Sequence, residues 1–253
     1  MTAPIGHLRN PGATRGDRGG PIHSAAISRT LDPFASIDEH LAEFAAAGAR
    51  AVVIEGGDGT VREVLSRAPA HWPAGEPAYA IVPAGNTNLI VRQAGAATLE
   101  GIAALVEGRG ARRELPVLRA ERAGARPLRG FILGAGAYAA ATTAAQRART
   151  LKHGPQVAFA VIRALLSPAI RAPSPIGFST TSGEPAPELR TVTAVTSLPG
   201  PLIAGLDPFW GGGDGDLRWL DVGPRPHRLP LGLVFTALGR PRAWMAGDYR
   251  SGR

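Results

Sequence analysis

Residues 51–66 read Ala-Val-Val-Ile-Glu-Gly-Gly-Asp-Gly-Thr-Val-Arg-Glu-Val-Leu-Ser, and this stretch decides the fold class. A short apolar run predicts a strand at 51–55, and apolar residues spaced along one face predict a helix at 60–67. Three glycines join the two elements. A strand that turns through glycines into a helix is the arrangement in which α/β proteins bind phosphate groups. The stretch therefore predicts an α/β fold with an anion site at this turn.

The turn combines these glycines with a carboxylate. Gly56, Gly57 and Gly59 permit positive φ and close approach to the backbone, and the following helix directs unpaired N–H groups at an anion. Asp58 repels a phosphate unless a cation or a transferable proton lies between them, so a magnesium ion or a nucleophilic hydroxyl is expected beside it. The alternative is an ordinary Asp-Gly turn, which normally joins two strands, whereas only the preceding flank is strand-like here.

A second strand-to-helix turn lies within residues 78–95, Ala-Tyr-Ala-Ile-Val-Pro-Ala-Gly-Asn-Thr-Asn-Leu-Ile-Val-Arg-Gln-Ala-Gly. It predicts a strand at 79–82 and a helix from about 87 to 94, which Asn86 or Thr87 can cap. Neighbouring parallel strands end at the same edge of a sheet, so the two turns are expected to form one ligand site. A nucleotide is the leading candidate for that ligand.

The remaining pattern divides the chain near residue 110. Before it, further strands and helices alternate, which predicts a parallel sheet covered on both faces. These elements are strands at 6–9 and 25–28 and helices around 37–45 and at 98–107. After it, strands predominate, which predicts a second, mainly antiparallel lobe. These strands are predicted at 115–120, 127–133, 176–181 and 189–197, with helical regions at about 137–167 and 231–245.

Composition excludes several classes of protein. The chain has 253 residues, enough for one large core or two modest ones, and it has no cysteine, so disulfides and thiol nucleophiles are absent. The net charge of +8 comes almost entirely from arginine, since Lys152 is the only lysine. A basic surface attracts ATP, anionic lipid headgroups or nucleic acid, and charge alone does not choose among them. The six histidines show no metal-ligand spacing. No long apolar segment or signal peptide is evident, so a cytoplasmic location is expected.

Four motifs resemble those of the diacylglycerol kinase catalytic domain family, which includes bacterial lipid kinases, sphingosine kinases and ceramide kinases. Gly56–Thr60, followed by Glu63-Val64, is similar to the family's nucleotide motif, and Pro83–Asn88 is similar to its second motif. Asn10–Gly16 resembles the Asn-Pro loop after the family's first strand, and Asp214–Leu217 resembles its later Asp-Gly-x-Leu element. The four occur in the family's order.

The resemblance implies a two-lobed fold of the NAD-kinase/diacylglycerol-kinase type. An α/β nucleotide-binding lobe, residues 1–110, is then followed by a β-rich lipid-substrate lobe, residues 111–253, whose C-terminal segment is a candidate to pack back on the first lobe. The implied activity is transfer of the γ-phosphoryl group of ATP to the hydroxyl of a diacylglycerol, ceramide or sphingoid-type lipid, with Mg²⁺ as cofactor. The implied partners are this lipid alcohol and a peripheral membrane surface, without nucleic acid.

The resemblance also implies roles for particular residues. Asp58 is expected to be catalytic, by positioning the metal or accepting the hydroxyl proton, and Asp214 is expected to hold the metal network through water. The expected nucleotide-binding residues are Asn10, Gly56, Gly57, Gly59, Thr60, Gly85, Asn86, Thr87 and Asn88.

Two departures from the family pattern leave alternatives open. The second motif usually reads Pro-x-Gly-Thr-x-Asn-Asp, so Asn86 replaces its threonine and Leu89 replaces its aspartate. Sphingosine kinases also lack this aspartate and have an alanine in its place. The late Asp-Gly-Glu element, whose glutamate is a candidate base, does not occur, which places more of the chemistry on Asp58. These losses motivate a lipid-binding pseudokinase as an alternative. An NAD kinase shares the Gly-Gly-Asp-Gly turn, but its later Asn-Glu pair is missing.

Overall fold

The structure is a computed structural model that describes residues 4–13, 22–23, 26–85, 88–109, 112–147, 173–178, 188–202 and 207–253. Its internal contacts divide the chain into two compact units, Met1–Phe131 and Ile132–Arg253.

The first unit is built on a four-stranded parallel sheet. The sheet has the order β2-β1-β3-β4 and the strands β1 (Ile5–Arg9), β2 (Ala26–Thr30), β3 (Ala51–Gly56) and β4 (Ala78–Pro83). The helices α1 (Ile37–Ala46) and α2 (Asp58–Arg67) lie between strands of this sheet, and α3 (Leu89–Ala94) and α4 (Leu99–Val106) follow β4. The predicted alternation is confirmed, although α2 begins at Asp58 rather than at Thr60.

Helices cover both faces of this sheet. Val53 of β3 packs with Ile102 and Val106 of α4 on one face. On the other face, the ring of Phe44 from α1 occupies the space where a side chain at Gly6 of β1 would lie. Every residue of β3 is buried, which is why its sequence is a continuous apolar run rather than an alternating one.

A short antiparallel hairpin completes the first unit. It consists of β5 (Leu118–Ala120) and β6 (Leu128–Gly130), and the backbone N–H of Arg129 donates to Ser66 Oγ of α2 at 2.9 Å. The single strand predicted at 127–133 is therefore wrong. The chain changes partners at Phe131, because the residues before it pair with β5 and those after it join a different sheet.

The second unit contains a four-stranded antiparallel sheet, as predicted for this part of the chain. The sheet has the order β12-β11-β10-β7 and the strands β7 (Ile132–Gly136), β10 (Val192–Thr196), β11 (Arg218–Val222) and β12 (Tyr249–Gly252). A hairpin joins β8 (Ser174–Ile176) to β9 (Glu188–Arg190). The sequence did not predict β11 or β12. The last part of the strand predicted at 176–181 lies outside the described residues.

Two helices are described in the second unit, α5 (Ala137–Arg147) and α6 (Leu229–Ala237). The rest of the helical region predicted at 137–167, residues 148–167, lies outside the described residues. The helix predicted near 231–245 ends earlier, at Ala237, and a 3-10 turn at Ala243–Met245 follows. Among the described residues, no helix has both the length and the apolar character needed to cross a membrane.

Candidate functional site

The two glycine turns lie side by side at the carboxyl edge of the parallel sheet. β3 and β4 are neighbours, and the N–H of Ala84 donates to the carbonyl of Gly56 at 3.0 Å, which extends their pairing into the turns. Gly57 and Gly85 then approach so closely that a Cβ on Gly85 would lie 2.7 Å from the Cα of Gly57. The structure thus brings the first and second motifs into one place.

Close packing, rather than an unusual backbone conformation, explains the glycines of these turns. Glycine permits positive φ, but none of Gly56, Gly57, Gly59 and Gly85 has φ in the left-handed region. Gly57 is extended, with φ −95° and ψ 179°. A Cβ on Gly56 would lie 2.7 Å from Thr60 Oγ1, so this glycine makes room for the first turn of α2.

Asn10 joins the end of β1 to the same helix. Its backbone N–H donates to the carbonyl of Glu55 at 2.9 Å, and its Nδ2 donates to Thr60 Oγ1 at 2.7 Å. Its Oδ1 accepts a hydrogen bond from the N–H of Gly12 at 3.0 Å. Asn10, which follows β1, therefore ties the first turn of α2 to the end of β3, and its contact on α2 is the buried Thr60 hydroxyl.

The Asp58 carboxylate connects the two motifs. Its Oδ2 accepts a hydrogen bond from the N–H of Leu89 at 3.1 Å, and its Oδ1 accepts one from the N–H of Ile90 at 3.0 Å. Asp58, in the first turn of α2, thereby satisfies two N–H groups at the start of α3. Each carboxylate oxygen retains a second lone pair for another partner.

This arrangement corrects the predicted start of α3. The N-cap is Asn88, not Asn86 or Thr87, and both of those residues lie outside the described part of the chain. Asn88 has left-handed dihedral angles, φ 46° and ψ 44°, which asparagine tolerates better than most residues. Its Oδ1 accepts from the N–H of Gly85 at 3.0 Å and its Nδ2 donates to the carbonyl of Gly85 at 2.6 Å. The Asn88 side-chain amide therefore closes the second turn by bonding both backbone polar groups of Gly85.

The N-terminus of α2 remains open to a ligand. Its N-cap residue, Gly57, has no side chain to accept a hydrogen bond from the first-turn N–H groups. Apart from its chain neighbours and the backbone of α2, a Cβ placed on Gly59 would meet no described protein atom within 4 Å. The start of α3 is occupied by Asp58, whereas the start of the ten-residue helix α2 offers N–H groups and space to an anion.

A polar cluster, which the sequence reasoning missed, lies within the parallel sheet on β1, β2 and β3. His7 and Glu55 are both buried, and His7 Nε2 lies 3.3 Å from Glu55 Oε2, while His7 Nδ1 lies 3.1 Å from Ser28 Oγ. Burial lowers the pKa of His7, although the neighbouring Glu55 carboxylate opposes this effect. The signal available in the sequence was the placement of His7 and Glu55 within otherwise apolar strands.

Asp214, the predicted metal residue, lies in the second unit. It is exposed in the segment between Phe209 and β11, where the N–H of Arg253 donates to the carbonyl of Gly212 at 3.2 Å. Within the described residues, no group of three or more histidine, aspartate and glutamate side chains could hold a metal ion. Magnesium is commonly held by one or two carboxylates together with substrate phosphates, so the free lone pairs of Asp58 fit this ion chemically.

The comparison with known proteins agrees with this geometry. Residues 24–120 match the family model of the diacylglycerol kinase catalytic domain, and this range includes both glycine turns. The resemblance noted in the sequence is therefore confirmed over this range. No curated protein matches the chain.

Two solved structures from Bacillus anthracis strain Sterne share the fold. One is a diacylglycerol kinase, with 14% identity, a TM-score of 0.59, and coverage of 98% of this chain and 82% of that one. The other, provisionally described as a diacylglycerol kinase, has 16% identity, a TM-score of 0.62, and coverage of 98% and 83%. The predicted fold, a parallel α/β region followed by an antiparallel β-rich region as in NAD-kinase-like proteins, is confirmed.

Proposed function

We propose that this protein is a lipid kinase that transfers the γ-phosphoryl group of ATP to the hydroxyl of a lipid alcohol of the diacylglycerol, ceramide or sphingoid type. The observation that carries the proposal is the contact between Gly57 and Gly85, which joins the two motifs beside the open N-terminus of α2. That junction lies within the range that matches a diacylglycerol kinase catalytic domain.

Phosphate binding is assigned to the first turn of α2. Its backbone N–H groups donate to phosphate oxygens, and the helix dipole favours negative charge there. Because Gly59 has no side chain, a phosphate can approach the backbone at this position. Asn10, Thr60, Gly85 and Asn88 keep the two turns in place around the nucleotide, and Asn86 and Thr87 complete the proposed set.

Asp58 is the proposed catalytic residue. Two backbone N–H groups fix the orientation of its carboxylate, and the remaining lone pair on each oxygen is available to a hydroxyl proton or a metal ion. When Mg²⁺ is bound, it offsets the charge that develops on the transferred phosphoryl group. Asp58 is the residue of the first unit proposed to hold it, and Asp214 stays a separate proposal as a metal-binding residue of the second unit.

A pseudokinase that binds ATP and lipid without turnover is the second candidate. The observation in its favour is that the position of the family's usual acid holds Leu89, whose side chain is buried in this structure. The motif therefore carries an apolar side chain at a position where many members have a carboxylate.

A phosphotransfer assay separates the candidates. The protein is incubated with γ-labelled ATP, MgCl₂ and total lipid extract dispersed in detergent micelles, and the labelled product is identified by chromatography and mass spectrometry. We expect one class of lipid alcohol to gain the label, and EDTA to abolish the transfer. ATP binding, measured separately by titration calorimetry, without any labelled lipid would overturn the kinase proposal and favour the pseudokinase. Label on NAD, in a parallel reaction that contains NAD in place of lipid, would identify an NAD kinase.

A further inference from the structure

Helix α6 is apolar on all sides, although one side faces solvent. Its sequence is Leu-Pro-Leu-Gly-Leu-Val-Phe-Thr-Ala, and Leu229 and Leu233 pack into the core of the second unit. On the opposite side, Leu231, Val234 and Leu238 are 44%, 52% and 46% exposed. The spacing of these three residues, i, i+3 and i+7, places them on one face. A helix with apolar residues all round is normally covered on every side, so this face lacks a partner.

Arginines lie in sequence at both ends of this face. Arg225 and Arg228 precede α6, Arg240 and Arg242 follow it, and all four are exposed. Residues 223–247 contain no aspartate or glutamate. The apolar face is therefore accompanied by four positive charges and by no acidic side chain of this segment.

Aromatic rings support two of these arginines. The guanidinium carbon of Arg228 lies 5.8 Å from the centre of the Trp244 ring, and that of Arg242 lies 4.6 Å from the centre of the Phe235 ring. Such cation–π contacts hold the long side chains next to the helix instead of leaving them free in solvent. Two of the four positive charges are thus held beside the helix.

We propose that this α6 surface, which consists of Leu231, Val234, Leu238 and the four arginines, binds the surface of an anionic lipid bilayer. The three aliphatic side chains enter the boundary between headgroups and acyl chains, and the guanidinium groups pair with lipid phosphates. The choice of a bilayer over an acidic protein rests on the proposed function, because a lipid kinase must reach a substrate that resides in a membrane.

A second copy of this chain fits the surface poorly. In a symmetric dimer the same patch would face itself and bring eight arginines together without a carboxylate from this segment. An anionic bilayer instead supplies the complementary charge for the arginines and an apolar layer for the aliphatic side chains.

Vesicle co-sedimentation tests the proposal with the full chain. We expect binding to vesicles of equal parts phosphatidylcholine and phosphatidylglycerol, little binding to phosphatidylcholine alone, and weaker binding as the salt concentration rises. The double variants Leu231→Gln/Val234→Gln and Arg225→Gln/Arg240→Gln should each weaken binding by roughly tenfold or more, and the arginine variant should also reduce the salt dependence.

Two matched controls lie in the first unit. Leu99 is 70% exposed, and Arg109 is also exposed, so Leu99→Gln and Arg109→Gln remove the same side-chain types from a different surface. Both should bind vesicles as the unmodified protein does, and thermal unfolding checks that every variant is folded.

The proposal is overturned if the unmodified protein does not prefer anionic vesicles, or if folded α6 variants bind them as tightly as it does. Self-association that the α6 variants abolish, without vesicle binding, would also overturn it and identify an interface between copies. Activity on lipid in detergent micelles does not require a bilayer, so the two proposals fail separately. Transfer in micelles without vesicle binding rejects the α6 surface alone, whereas vesicle binding without transfer rejects the kinase alone.

Discussion

Gly85 and Gly59 both belong to the candidate site, but Gly85 is tightly packed and Gly59 is not. Alanine substitutions at the two positions therefore give a matched test at the scale of single residues. A Cβ on Gly85 would lie 2.7 Å from the Cα of Gly57, a backbone atom that cannot move away without separating the turns. We expect Gly85→Ala to lower the free energy of unfolding by about 1–3 kcal/mol and to abolish ATP binding. Thermal unfolding and titration calorimetry measure the two effects.

Gly59→Ala should separate binding from stability. Apart from its chain neighbours and the backbone of α2, the new Cβ meets no described protein atom within 4 Å. Alanine is favoured over glycine in a helix by roughly 0.5–1 kcal/mol, so stability should be unchanged or slightly higher. ATP binding should nevertheless weaken, because the methyl group occupies the space through which a phosphate reaches the first turn of α2. Unchanged ATP affinity in this variant would contradict the proposed position of the phosphate.

Asp58→Asn tests the carboxylate that joins the two motifs. The asparagine amide has one acceptor oxygen, so it can keep only one of the hydrogen bonds from Leu89 and Ile90. We expect a loss of stability of about 1–2 kcal/mol and almost complete loss of lipid phosphorylation in the micelle assay. Retention of most of the activity would exclude Asp58 as the catalytic residue.

Thr98→Ala provides the control for that variant. Thr98 caps α4, where its Oγ1 accepts a hydrogen bond from the N–H of Gly101 at 3.0 Å, away from the two glycine turns. Its loss should also cost about 1 kcal/mol of stability but leave phosphotransfer intact. Comparison of the two variants separates the chemical role of Asp58 from the general effect of losing a helix cap.

At the scale of secondary structure, the sequence predicted the elements whose buried side chains are apolar. It missed those whose buried side chains form ion pairs. β3 was predictable because all its buried positions except Glu55 are apolar or glycine. β11 was not, because its sequence, Arg-Trp-Leu-Asp-Val, contains two charged residues that are buried. Arg218 is bound by Asp207 at 2.7 and 2.8 Å, and Asp221 is paired with Arg190 and Arg250. Partners so distant in sequence cannot be inferred from local periodicity.

The contact between the two motifs shows the same limit within the candidate site. Parallel-strand topology predicted that the turns would be neighbours, because consecutive strand–helix turns end at one edge of the sheet. The role of Asp58 as a cap for α3 could not be predicted, since its hydrogen-bonding partners lie 31 and 32 residues away. Local capping rules pointed instead to Asn86 and Thr87.

A carboxylate on α1 gives a prediction at the scale of packed elements. Asp38 accepts hydrogen bonds from Arg67 at 2.5 Å, Arg126 at 3.1 Å and His71 at 3.2 Å, and so links α1 to the end of α2 and to the segment before β6. Since a third of the side chain is exposed, solvent screens these interactions. We expect Asp38→Asn to lower stability at pH 7 by about 1 kcal/mol, measured by urea unfolding. Glu39→Gln, an exposed neighbour on the same helix, should have no measurable effect.

At the scale of the whole molecule, the fold class and the order of the two units were predictable because the pattern of strands changes from alternation with helices to strands in succession. The polar interactions within the first unit were not predictable, and two of the groups that make them give the protein a defined dependence on pH. His7 is buried against Glu55, and the partly exposed Asp38 is held by Arg67, Arg126 and His71.

Stability should fall in two separate steps as the pH decreases. Burial lowers the pKa of His7 below its usual value of 6.5, so the unfolded chain takes up this proton first, and stability declines as the pH falls below about 6.5. Burial alone would raise the pKa of Asp38, but hydrogen bonds from His71, Arg126 and Arg67 outweigh it and lower this pKa to about 2. The stability that Asp38 contributes is therefore present above pH 3.8 and lost between pH 3.8 and about 2.

Urea unfolding at a series of pH values, with two variants, assigns these steps. His7→Gln retains polar contacts to Ser28 and Glu55 but does not titrate, so it should flatten the upper step and leave the lower one unchanged. Asp38→Asn should reduce the lower step alone. Burial would raise the pKa of Glu63, but hydrogen bonds from Arg62 and Arg67 lower it, so Glu63 should account for the remainder of that step. The comparison uses the slope of stability against pH, so a uniform loss of stability in either variant does not affect it. An upper step that persists in His7→Gln would show that another group of the chain titrates there, because the proton uptake by the unfolded state would then not depend on His7.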